Sequence, residues 1–86
     1  MKVNFSRRFE KQRAKLPKLI KLKLSDRLRL FLNEPSHPFL RNHPLSGKYV
    51  GYRSINVTGD YRAIFYYEST DIVRFIAIGT HSELYG

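Results

Sequence analysis

The stretch from Lys48 to Gly79 restricts the fold more than any other part of the chain. Three runs rich in aromatic and β-branched residues, Tyr49–Val57, Tyr61–Tyr67 and Ile72–Ile78, are separated only by Thr58-Gly59-Asp60 and by a tight connection at Ser69-Thr70. Connections this short force antiparallel neighbours, so the stretch predicts a three-strand meander. With Thr58 to Asp60 as the first loop, Val57 lies opposite Tyr61. Asn56 then faces Arg62, Ile55 faces Ala63 and Arg53 faces Phe65. Alternation of side chains puts Ile55, Val57, Ala63, Phe65, Ile76 and Ile78 on one face. Tyr52, Ser54, Asn56, Arg62, Tyr66 and Phe75 fall on the other. The first face is the better core; the second sets an arginine beside an amide in mid-sheet. A slip of one residue would exchange the two faces.

The rest of the chain supplies a cover for the apolar face. Lys2 to Phe5 is compatible with a short edge strand. Ser6 suits the N-cap of a first helix reaching Lys15, and Pro17 suits the first turn of a second. Leu16, Ile20, Leu24, Leu28, Phe31 and Leu32 recur at spacings of three and four, a helical stripe. Leu19 to Leu24 also alternates like a strand, but the length of the run and its good helix formers favour helix. Glu34-Pro35 stops it, because residues before proline avoid helical angles. Leu40 and Leu45 are expected to anchor the following loop, which leaves Arg41, His43 and Lys48 near the start of the meander. The predicted fold is therefore α+β: a basic N-terminal helical hairpin packed on a C-terminal antiparallel sheet of three or four strands.

Charge narrows the class of partner. The 86 residues, enough for one domain spanning 1–86, carry 16 Lys+Arg against 7 Asp+Glu, a formal net charge of +9. Residues 1–35 alone hold 11 of the basic side chains against Glu10, Asp26 and Glu34. One such lysine is usually a solvated side chain with a snorkelling stem. Collectively they suit a polyanion, with nucleic acid, RNA or DNA, ranked before anionic lipid. Cysteine is absent, which removes disulfides and thiolate chemistry. No run is long enough for a signal peptide or a membrane span, so a cytoplasmic protein without a membrane partner is expected.

The residues capable of chemistry are His37, His43, His81, Asp60, Arg62, Arg74, Lys48, Arg53 and Tyr85. Three loop histidines without HxH or HExxH spacing argue against a metal site, and no Gly-rich phosphate loop or nucleophile elbow is present. Metal-free acid–base chemistry on a phosphodiester remains. RNA brings its own nucleophile, the 2′-hydroxyl, so a protein need supply a base, an acid and cations for the phosphoryl oxygens. Histidine fills either proton role and arginine's planar fork fits the phosphate. His37, between Ser36 and Pro38, reads as a capping or packing residue. Asp60 would be accounted for by its turn alone. Arg74 falls on the face opposite Arg62 and reads as a rim or ion-pair residue.

Asn42-His43-Pro44-Leu45-Ser46-Gly47, Gly51-Tyr52-Arg53-Ser54, Gly59-Asp60-Tyr61-Arg62-Ala63-Ile64 and the ending Ile78-Gly79-Thr80-His81-Ser82-Glu83-Leu84-Tyr85-Gly86 together resemble the RelE/ParE superfamily of toxin–antitoxin toxins, and its YafQ-like branch most of all. The ending is the most specific piece. The resemblance spans the whole chain. It implies a RelE-like fold and a ribosome-dependent endoribonuclease that cuts mRNA codons in the A site of the 70S ribosome, without a cofactor. It also implies a cognate antitoxin that covers the active site, and operator DNA bound only through that antitoxin. By position, His43, Asp60, His81 and Tyr85 match YafQ-like catalytic residues, and Arg62 matches the arginine of the Gly-x-Tyr-Arg motif in RelE-type toxins. Lys48, Arg53, Asn56, Arg74 and Arg41 complete the expected phosphate- and substrate-binding set.

One position departs from that pattern. Asn56 stands where close YafQ relatives carry a histidine, and an amide cannot shuttle a proton at neutral pH. The proton transfers would then fall to His81, His43 and Asp60, with lower activity or a different codon preference. Two other readings follow from the same residues: a ParE-like gyrase inhibitor, and a non-catalytic RNA- or antitoxin-binding remnant. The pairing of His81 with Tyr85 favours the nuclease over the gyrase inhibitor.

Overall fold

The computed structural model describes residues 1–86. Its elements in chain order are β1 (Lys2–Phe5), α1 (Arg7–Ala14), α2 (Lys18–Asn33), β2 (His43–Pro44), β3 (Arg53–Asn56), β4 (Tyr61–Tyr67), β5 (Ile72–Thr80) and α3 (His81–Tyr85). The strands form one five-stranded sheet in the order β1-β5-β4-β3-β2. The β3–β4–β5 meander is antiparallel, and β1 joins the far side of β5 in parallel. The sheet is thus larger than the three or four strands expected, and mixed. The α1–α2 hairpin lies between β1 and β2 in the chain, so β1 returns to pair beside the last long strand.

The register of the first hairpin is the one the turn residues dictate: Asn56 opposite Arg62, Ile55 opposite Ala63 and Arg53 opposite Phe65. The second hairpin departs from simple alternation. Ile64 pairs with Ala77 but Phe65 pairs with Phe75, so Ile76 is an extra residue in β5. Such a bulge turns every residue beyond it over. Phe75 therefore points into the helix-side core, whereas Ile76 packs on the opposite face. Alternation alone would place the two the other way round. Arg74 likewise joins the face that carries Tyr66 and Arg62.

The helix-side core is aromatic. Phe75 sits at its centre, with ring centroids 5.0 Å from Phe65, 5.4 Å from Phe31, 5.8 Å from Phe9 and 6.0 Å from Phe5. Leu16, Leu24 and Phe31 of the helical stripe are buried against it, with Ile20 and Leu28 partly so. Leu32 lies off the stripe and is exposed. Where β1 ends, α1 takes over the open edge of β5. Ser6 caps α1 by accepting from the Phe9 N–H, and its hydroxyl also donates to the Ile76 carbonyl at the bulge. Gln12 Oε1 accepts from the Ile78 N–H at 2.9 Å. Two side chains thus satisfy backbone groups a longer β1 would have paired.

The opposite face carries a second, smaller core of Tyr49, Ile64, Ala77 and Leu84. Tyr49 to Tyr52 does not extend β3 as the β-rich composition suggests. Gly47 and Gly51 adopt φ of 64° and 92°, and a single 3-10 turn at Gly47–Tyr49 folds Tyr49 back over the sheet. The Tyr49 hydroxyl donates to the Leu84 carbonyl at 3.1 Å and ties α3 down. No helix is long and apolar enough to cross a membrane.

Candidate active site

At the turn end of the second sheet face, between the β2 loop and α3, a cleft of about 390 Å³ opens. Arg41, His43, Asn56, Arg62, His81 and Tyr85 line it, with Leu45 as an apolar wall. Asn56 and Arg62 are cross-strand partners, so their side chains emerge side by side. His43 pairs with Ser54, two residues along β3 from Asn56, and shares their face. His81 and Tyr85 are one turn apart on α3, their ring centroids 4.7 Å apart.

Each side chain is held by identifiable local chemistry. α3 begins with a capping box: Thr80 Oγ1 accepts from the Glu83 N–H, and Glu83 Oε1 accepts from the Thr80 N–H at 2.7 Å. Hydrogen bonding from Thr80 holds the Glu83 carboxyl below the usual range, the Thr80 backbone N–H contributing most and the Thr80 side chain next. The His81 N–H donates to the Asp60 carbonyl, which joins the start of α3 to the β3–β4 turn. Gly79 lets the Glu83 carboxylate come this close, since a Cβ there would meet Oε1 at 3.1 Å. Arg41 takes a left-handed conformation, φ 47° and ψ 47°, and its carbonyl lies 2.6 Å from His43 Nδ1. A carbonyl can only accept, so Nδ1 carries the proton and Nε2 of a neutral His43 keeps its lone pair.

Two guanidinium groups and two imidazoles with no carboxylate in the lining make a site for an anion. The Arg62 guanidinium is only loosely tethered, by a 3.4 Å bond to the Gly59 carbonyl, and is free to reach a ligand.

Of the expected site residues, six converge in the cleft and four do not. Asp60 meets His81 through its backbone, and its carboxylate is outside the lining. Lys48 is exposed, its Nζ 5.4 Å from the Tyr49 ring centroid. Arg74 stands at the far end of the sheet, 3.7 Å from Glu68, as an ion-pair residue. Arg53 shares the face of Phe65 and gives its Nε–H to Asn42 Oδ1 at 2.8 Å; Asn42 in turn donates to the Pro35 carbonyl. That places Arg53 in a structural tie behind the sheet, a position already implicit in its pairing with Phe65. His37 caps the Pro38–Leu40 turn by accepting from the Phe39 N–H, as its position between Ser36 and Pro38 suggests. Leu45, which the sequence marks only as a core anchor, also walls the cleft. Tyr49 has the composition of a strand residue, and nothing in its spacing marks it as the strut of α3.

A family model for the YafQ toxin, a bacterial toxin of type II toxin–antitoxin systems, matches residues 1–86. No curated protein sequence matches significantly. Among solved structures, YafQ from Escherichia coli BL21(DE3) superposes with a TM-score of 0.80 at 28% identity, covering 98% of this chain and 97% of that one. YafQ in the E. coli DinJ–YafQ toxin–antitoxin complex gives 0.71 at 27%, covering 98% and 96%. The YoeB/ParE toxin of Agrobacterium tumefaciens, at 19% identity and TM-score 0.77 over 94% and 99%, shares the fold. With the match running from the first residue to the last, the chain belongs to the YafQ family of type II toxin–antitoxin toxins.

Proposed function

We propose that this toxin is an endoribonuclease that cleaves mRNA in the ribosomal A site by attack of the RNA's own 2′-hydroxyl. The observation that carries the reading is the convergence of Arg41, Arg62, His43 and His81 in one cleft without a carboxylate. His43 is the base, because its Nδ1–H is committed to the Arg41 carbonyl and Nε2 is left to accept the 2′ proton. The 2′-oxygen then bonds to phosphorus and the bond to the 5′-oxygen breaks. His81 gives its proton to that leaving oxygen. Arg62 and Arg41 take the charge that grows on the phosphoryl oxygens, and Asn56 orients the phosphate or a base edge. Tyr85 packs against the His81 ring and offers its face to a base. Asp60 contributes through its backbone by fixing His81.

The family's antitoxin pairing supports a cognate, acidic antitoxin that closes the cleft and carries the only contact with operator DNA. The protein would act on cytoplasmic ribosomes. Expression of His81→Ala or Arg62→Ala should relieve growth arrest and abolish A-site cleavage in primer extension, while both variants stay folded. Full toxicity in both would sink the assignment. Intact mRNA with gyrase supercoiling inhibited would replace it with the ParE-like reading, and ribosome binding without cleavage would favour the remnant reading that Asn56 suggests.

A further inference from the structure

The second sheet face carries a run of rings that the proposed chemistry leaves unused beyond Tyr85. From the cleft, His81 touches Tyr85, and Tyr85 meets Tyr49 at 5.5 Å between centroids with planes at 90°. Tyr49 meets Tyr52 at 6.3 Å and 82°, and Tyr52 meets Tyr66 at 5.4 Å and 77°. Tyr49 is buried and acts as the spine, whereas Tyr52, Tyr66 and Tyr85 keep part of their surface in water. Cations accompany the rings. Lys48 stands at Tyr49, and Arg74 is the cross-strand neighbour of Tyr66. Arg62 and Tyr66 lie on one face of β4 four residues apart, roughly 13 Å at the usual strand rise. Packing alone would be served by leucine here. Partly exposed aromatic rings beside cations are the chemistry that holds single-stranded nucleic acid, bases on the rings and phosphates on the charges.

We propose that Tyr52 and Tyr66, with Lys48 and Arg74, form a track that binds the single-stranded RNA flanking the cut, continuous with the cleft. The proposal rests on the endoribonuclease reading for its direction of travel. Glu68, 3.7 Å from Arg74, competes with the RNA phosphate for that guanidinium.

The test is fluorescence anisotropy of the full chain with a fluorescein-labelled, fully 2′-O-methylated oligoadenylate dodecamer. The probe lacks a free 2′-hydroxyl, so binding is read without cleavage. Tyr66→Leu and Tyr52→Leu keep an apolar side chain but lose the π-face, and each should weaken binding about tenfold. Tyr66→Phe should bind like the unmodified protein. Glu68→Gln should tighten binding about threefold by releasing Arg74, while Glu10→Gln, which removes the same charge from α1, should not. The Glu68 arm keeps the test decisive if a tyrosine variant fails to fold. Unchanged affinity in the leucine variants, equal effects of the two glutamate changes, or no binding of the dodecamer would overturn the track. The endoribonuclease reading stands or falls separately, on primer extension with His81→Ala and Arg62→Ala.

Discussion

At the scale of single residues, Arg41 shows how a strained backbone position serves a site. A non-glycine side chain in the left-handed region costs about 1 kcal/mol, and here it sets both a guanidinium in the cleft and a carbonyl on His43. Arg41→Gly should therefore leave stability unchanged or slightly raised, the relieved strain being offset by glycine's greater freedom in the unfolded chain. Cleavage should fall at the same time. Denaturant unfolding together with primer extension separates the two effects; a marked loss of stability would contradict the strain argument. Phe75 is the structural counterpart. It is fully buried among four other phenylalanines, and Phe75→Ala should cost about 3–5 kcal/mol. Urea denaturation would measure it, and a cost under about 1 kcal/mol would be incompatible with a filled aromatic core.

Among the elements, α3 has a stability that depends on pH through Glu83. It is a single short helix whose first turn relies on the Thr80–Glu83 box, and it carries both His81 and Tyr85. The folded-state pKa of Glu83 is depressed, so its contribution is present above the ordinary glutamate value of about 4.3 and is lost as pH falls through the lower folded value. The melting temperature should therefore drop on acidification below about pH 4.3. Glu83→Gln retains an acceptor for the Thr80 N–H and should show a shallower acid limb. Identical acid limbs in the two proteins would mean the box contributes nothing measurable. The bulge in β5 is the other decisive element, since it delivers Phe75 to one core and Ile76 to the other, and Ser6 caps the carbonyl it leaves open.

For the molecule as a whole, the sheet divides the labour. Its helix side holds the large aromatic core; its other side holds the smaller core, the cleft and the tyrosine run. A net charge of +9 makes any complex with RNA depend on counterion release. Affinity for the methylated dodecamer should fall linearly on a log–log plot against salt, with a shallower slope in Arg62→Ala. A slope near zero in the parent protein would remove phosphate contacts from the account.

Local chemistry made much of this legible in the amino-acid order. Thr58-Gly59-Asp60 determines the β3–β4 register, and that register alone sets Asn56 beside Arg62. Ser6, Pro17 and Glu34-Pro35 delimit the helices, because caps and proline act within a few residues. The six polar residues of the cleft are all recognisable as candidates, whereas Leu45 reads only as a core anchor. What only the tertiary structure decided depends on groups far apart in the chain. The bulge at Ile76 is stabilised by Ser6, 70 residues away, and reverses the faces of Phe75 and Arg74. The parallel pairing of β1, the folding-back of Tyr49 and the withdrawal of Arg53 to Asn42 have the same origin. Each settles where a backbone or side-chain polar group finds its partner across the molecule, and periodicity along the chain carries no record of that.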